Sequence, residues 1–149
     1  MLHEKKLVEL FSLKEKVAVV TGALGLLGKQ HCHALAEAGA NVVVCDLNEN
    51  ECAKFASSLP ALSLGISADI TNKKSVKDLR DKIISNYGKI DILVNNAGVV
   101  IAGKVDNTSI EDYNKTMDIN VKGPFLLSKF AVPYMKSNGG GVIINMSSV

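Results

Sequence analysis

Three glycines stand close together in Thr21-Gly22-Ala23-Leu24-Gly25-Leu26-Leu27-Gly28, directly after a short β-branched run. A turn with so few side chains lets a pyrophosphate approach backbone N–H groups and the positive end of a following helix. Gly22, Leu24, Gly25, Leu26, Leu27 and Gly28 are therefore the candidate phosphate-binding residues. Further on, Asp46 and Leu47 close a second apolar run. A carboxylate there can accept hydrogen bonds from ribose hydroxyls and repels a 2′-phosphate, which favours NAD over NADP as the ligand. The same glycines would also serve simple helix–strand packing, and Asp46 an ordinary turn. Their joint register with a strand–helix–strand pattern selects the nucleotide reading.

The elements that must hold these residues follow from periodicity. Val17–Thr21 reads as a strand, and Leu26 to Ala38 as a helix stopped by Gly39. Asn41–Cys45 reads as a second strand. Asn48 with Glu51 starts a helix that fades near Pro60, and Leu62–Ser67 makes a third strand. Thr71 is the expected cap of a helix with Val76, Leu79, Ile83 and Ile84 on one face and Gly88 as its stop. Ile90–Val94 is strand four. Ser109 and Asp112 begin a long helix toward Lys136, expected to bend at Gly123-Pro124 and at Pro133, and Val142–Met146 is strand five. This alternation predicts a Rossmann-type α/β fold, a doubly wound parallel sheet, in one domain over residues 1–149.

Composition narrows the function classes. The chain has 149 residues, 47% of them hydrophobic, enough for a substantial core. Its 17 Lys and Arg against 15 Asp and Glu are scattered, so nucleic acid is not an implied partner. No stretch approaches the roughly 18 consecutive apolar residues of a membrane span, and the N-terminus lacks the apolar core of a signal peptide. A cytoplasmic protein is the expectation. Cys32, Cys45 and Cys52 have no CxxC spacing and read as packing residues. His31 and His33, two apart on one helix, face different ways, so no metal site is expected.

Further motifs appear in order: Ala68-Asp69-Ile70, Asn95-Asn96-Ala97-Gly98 at the end of strand four, Ile119-Asn120-Val121, and Ile144-Asn145-Met146-Ser147-Ser148. With the glycine turn, this set resembles the short-chain dehydrogenase/reductase family from Leu10 onward. The resemblance implies Asp69 and Ile70 at the adenine, and Asn96, Ala97 and Gly98 beside the second ribose. It implies Asn120 as the support of a water in a proton relay, and Ser148 as the group that hydrogen-bonds the substrate oxygen. It further implies hydride transfer between NAD(H) and a small secondary alcohol or ketone, by a protein that in full-length form is a homo-oligomer. Asp69, ahead of a capped helix, also has a plainer reading as a turn residue.

Two features depart from the family pattern. The middle glycine falls at Gly25, giving TGxxGxxG where TGxxxGxG is usual, a spacing that resembles sugar-nucleotide epimerases and dehydratases. The family's Tyr-x-x-x-Lys pair, whose Tyr is the base, is also not found here: Tyr87, Tyr113 and Tyr134 are followed four places on by Asp91, Met117 and Asn138. The chain thus reads as an N-terminal part, with an exposed parallel edge and helix faces partly uncovered. A non-catalytic NAD-binding or interaction module stays open beside the enzyme reading.

Overall fold

In the computed structural model, which describes residues 9–101 and 103–147, five strands form one sheet. They are β1 (Val17–Thr21), β2 (Asn41–Asp46), β3 (Leu64–Ser67), β4 (Ile92–Asn95) and β5 (Val142–Asn145). Every neighbouring pair is parallel, in the order β3-β2-β1-β4-β5. Helices α1 (Leu26–Glu37), α2 (Glu49–Ser57) and α3 (Lys73–Tyr87) make the first three crossovers. The last is made by α4 (Ile110–Met117), a π-helical stretch (Asp118–Lys122) and α5 (Gly123–Ser137).

Strand alternation splits the core in two. Val17 and Val19 of β1 face one side with Val43, Leu93, Val76 and Leu79 of α3, and Leu127 and Ala131 of α5. Ala18 and Val20 face the other with Val42, Val44, Cys32 of α1 and Cys52 of α2. Both faces of β1 and β2 are closed to solvent, which is why these strands read as unbroken apolar runs. Burial pushes the Cys32 thiol up to about 12 and raises those of Cys45 and Cys52 as well, so these free thiols are packing groups and poor nucleophiles.

Local signals place most helix ends. Asn48 Oδ1 accepts from the Glu51 amide, Ser109 Oγ from the Asp112 amide, and Gly88 ends α3 at φ 74°. The cap of α3, however, is Asn72 rather than Thr71: Asn72 Oδ1 accepts from the amides of Lys74 and Ser75. Thr71 instead donates its hydroxyl to Asp69. Strand three begins at Leu64, two residues later than its apolar run suggests, because the Val42 amide is taken by the Ser63 hydroxyl at 3.4 Å.

Just before Gly123-Pro124 the helical hydrogen-bond pattern widens to a π turn. Pro124 has no N–H to return to the preceding turn, and the strain is absorbed before it, where Gly123 N donates five residues back to Asp118 O. Pro133 lies inside α5, which runs on to Ser137.

Strand four is bounded at Ile92 rather than Ile90, and Asp91 just before it is tied to the sheet by its backbone, which donates to Val17 O and accepts from Val142 N, and by its side chain. Its carboxylate accepts from Val17 N at 2.9 Å and pairs with Lys89 at 3.2 Å and Lys16 at 3.4 Å. Burial works to raise its pKa, but the Val17 amide, Lys89 and Lys16 outweigh burial and hold the carboxyl below its ordinary value. Asp91 therefore stabilises the fold fully above the unfolded carboxylate pKa of about 4, and that contribution is lost as pH falls through the lower folded value. Between about pH 6 and pH 2, the Asp91→Asn variant is expected to lose less stability than the parent in urea melts. Equal pH slopes for the two proteins would refute the role.

The open edge expected from sequence is present. Val142 and Ile144 of β5 are exposed, and Tyr113, Met117, Val121 and Phe125 make an exposed apolar stripe from α4 through the π stretch to α5. Among the described residues no helix is long and apolar enough to cross a membrane.

Candidate nucleotide-binding site

After β3 the chain crosses back to pair β4 with the free side of β1, so consecutive crossovers diverge between β1 and β4. In open parallel sheets a crevice forms at the carboxyl ends of the strands at such a point. A cleft of about 660 Å³ lies there, within the range of small-molecule sites.

The glycine turn forms one wall. Gly22 has φ 60°, and the Gly25 amide closes the turn onto Gly22 O at 3.1 Å. Gly25 is the N-cap of α1; no side chain caps the helix and its first turn holds no acidic residue. The opening amides of α1, at Leu26, Leu27 and Gly28, thus carry the helix's positive end to the cleft they line. Gly28 has no room for a side chain: a Cβ there would overlap Gly22 O and lie 2.7 Å from Ala23 Cα.

Asp46 ends β2 on the opposite side. Its Oδ1 accepts from Leu47 N at 2.8 Å and its Oδ2 from Leu24 N at 3.0 Å. A carboxylate has about four acceptor sites, so two are left for ribose hydroxyls. Leu24 is the one predicted turn residue that does not line the cleft; its amide holds Asp46 instead. Asp69 does line the cleft, yet its Oδ1 is engaged by Thr71 N and Thr71 Oγ1 at 2.9 and 2.7 Å. The plainer turn role therefore holds for one of its two oxygens.

The residues after β4 form the far wall. Asn96 Nδ2 donates to Thr21 O and Gly22 O at 3.0 and 3.1 Å, so this side chain braces the glycine turn. Thr21 Oγ1 accepts from the amides of Asn96 and Ala97 and donates to Val94 O. Sequence reasoning left Thr21 out of the site, although a hydroxyl at the last position of a buried strand needs partners at that strand's end. Gly22, Gly25, Leu26, Leu27, Gly28, Asp46, Leu47, Asp69, Ile70, Asn96, Ala97 and Gly98 all line the cleft, joined by Cys45, Ala68, Thr71, Val99 and Ile119.

Asn120 does not point an amide into open space. Its Oδ1 accepts from Val99 N at 2.9 Å and its Nδ2 donates to Val99 O at 2.8 Å, closing a two-bond clasp on the loop after β4. Ser148 lies outside the described residues.

The switch-point cleft and the sheet order are those of the Rossmann-type α/β class. Residues 16–149 match the short chain dehydrogenase family, and the chain belongs to it. It is 44% identical over 136 residues to an uncharacterized oxidoreductase of Thermotoga maritima, covering 89% of this chain and 53% of that protein. An NAD-dependent glycerol dehydrogenase of Listeria innocua is 39% identical over 93% of this chain and 54% of its own length. A D-threitol dehydrogenase of Mycolicibacterium smegmatis is 36% identical over 93% and 54%. The chain spans about half the length of these curated relatives.

Proposed function

We propose that the full-length protein containing this segment is an NAD-dependent oxidoreductase acting on a small secondary alcohol or ketone. The observation that carries the reading is the convergence of an uncapped helix start and a fixed carboxylate on one cleft. The cleft suits a dinucleotide, since the glycine turn and the opening of α1, which no side chain caps, lie on it together. Bound nicotinamide supplies the hydride acceptor or donor.

The chain's own groups bind and orient. The first amides of α1 hold the pyrophosphate, Asp46 receives ribose hydroxyls, and the Asn120 clasp fixes the loop beside them. Ser148 donates to the substrate oxygen. Neither Ser148 nor Asn120 accepts a proton near neutral pH, so a base elsewhere in the full-length protein completes the reaction. Polyols are the first alcohols to try, because two relatives act on glycerol and D-threitol by name.

Titration calorimetry of the full-length protein tests the nucleotide reading. NAD+ is expected to bind at least about tenfold more tightly than NADP+, and Asp46→Ser to narrow that gap by weakening NAD+. Equal affinity for the two nucleotides would remove Asp46 as the selector, and no binding of either would remove the dinucleotide reading itself. Release of reduced nicotinamide on mixing with polyols and NAD+ then tests the chemistry. Tight NAD+ binding with no turnover on any alcohol would favour the non-catalytic module.

A further inference from the structure

Helix α5 opens on Gly123, and the space beside this residue is taken by a side chain from the far end of the cleft. A Cβ at Gly123 would lie 2.7 Å from Ile70 Cδ1 and 2.9 Å from Ile70 Cγ1, well inside the contact distance of two carbons. Gly123 is buried, and Ile70 is 8% exposed, its open side being the cleft it lines. Ile119, one turn before Gly123, lines the same cleft.

The backbones on both sides are tied down. Ala68 N donates to Asp46 O at 2.9 Å, Asp69 N to Ser75 Oγ at 3.0 Å, and Thr71 N to Asp69 Oδ1 at 2.9 Å. Gly123 N is bound to Asp118 O in the π turn, where Asn120 also clasps Val99. On its inner side Ile70 belongs to the same core layer as Val76 and Leu126, and a close-packed layer has little room to give. A methyl added at Gly123 is therefore passed to the Ile70 side chain, which can yield only toward the cleft.

Sheet order says which part of a ligand meets this wall. Strands β1 and β3 flank β2 on opposite sides, and Asp46 ends β2. A nucleotide whose phosphates lie at the start of α1, beyond β1, and whose ribose meets Asp46 carries its base toward residues 68–71, after β3. Ala68, Ile70 and Ile119 offer that base an apolar wall suited to a flat ring. We propose that Gly123 is a positioning residue that sets the depth of the cleft at its base end: by leaving room for Ile70 to recede, it admits the purine of the nucleotide. The inference rests on the dinucleotide reading of the cleft.

A double-mutant cycle in the full-length protein, followed by titration calorimetry, separates this role from general support of the fold. Gly123→Ala is expected to raise the Kd for NAD+ and for ADP-ribose, which lacks the nicotinamide, by the same factor of about 10. Ile70→Val removes Cδ1, the atom nearest the added methyl. In the Ile70→Val background, Gly123→Ala is expected to raise either Kd by about threefold or less. A fold that was merely weakened would not recover in this way, since Ile70→Val itself takes a methyl from the core.

Unchanged affinity in Gly123→Ala would overturn the proposal, and so would a loss of the same size in the Ile70→Val background. Weaker NAD+ binding with ADP-ribose unaffected would also overturn it, because the effect would then lie at the nicotinamide end. A parent that binds neither ligand would bring down the dinucleotide reading as a whole and this inference with it. If Gly123→Ala does not fold, Ile70→Phe applies the test from the opposite side. Its ring has no room beside Gly123 and must occupy the cleft, so ADP-ribose affinity is expected to fall about tenfold or more, and unchanged affinity would overturn the proposal.

Discussion

Gly28→Ala is expected to raise the Kd for NAD+ by about 100-fold or more, a loss of roughly 3 kcal/mol. The added methyl would overlap Gly22 O and lie 2.9 Å from Gly22 C, both backbone atoms of the turn itself. Nothing flexible can yield, so α1 must retreat from the turn and carry its first amides away from the cleft they line. Gly25→Ala is the matched comparison: its Cβ would meet only Gly22 O, at 3.3 Å, and an N-cap glycine changed to alanine weakens a helix end by about 1 kcal/mol or less. Calorimetric titration of both variants, with far-UV circular dichroism to confirm folding, checks the contrast. Gly28→Ala binding NAD+ as tightly as Gly25→Ala would mean that the close approach of α1 to the turn does not build the site.

Gly65→Ala is expected to destabilise the fold by about 3–5 kcal/mol, at a position that does not line the cleft. Gly65 sits in β3, opposite Val44, where α2 lies directly on the sheet. Its Cβ would overlap Cys52 C, Cys52 O and Ala53 N, all backbone atoms of α2. To admit the methyl, the helix must lift from the sheet and break the packing of Cys52 and Ala56, both buried on that face. Denaturant melts of the full-length protein read the loss directly. An unfolding free energy within about 0.5 kcal/mol of the parent would show that α2 shifts freely, and Gly88→Ala, at an open position with φ 74°, separates backbone strain from steric overlap.

Where a signal is local, this sequence carries it. The unbroken apolar runs at Val17–Thr21 and Asn41–Asp46 specify strands closed on both faces, and Asn48, Ser109 and Gly88 mark helix ends through bonds to residues three or four away. Turn, strand and helix at Gly22–Gly28 are legible together because all three depend on neighbours in the chain. The expected cap Thr71 gives way to Asn72 because both residue types suit the position and the hydroxyl of Thr71 is bound to Asp69. The π-helical stretch was illegible for a related reason: Pro124 announces a disturbance, while the clasp of Asn120 on Val99 lies where the turn widens.

The sequence by itself thus determined the α/β alternation, the parallel sheet and which segments face the cleft. Only the tertiary structure decided what each polar side chain does there. It turned Asn96 toward the glycine turn, Asn95 toward β5, and the Leu24 amide toward Asp46. The physical reason is separation along the chain. A strand or cap is stabilised by residues a few places away, so spacing records it. The bonds between Thr21 and Asn96, or between Asn95 and Asn145, join residues on different strands. They exist because the crossovers bring those strand ends side by side, and no local pattern encodes which partner will be within reach.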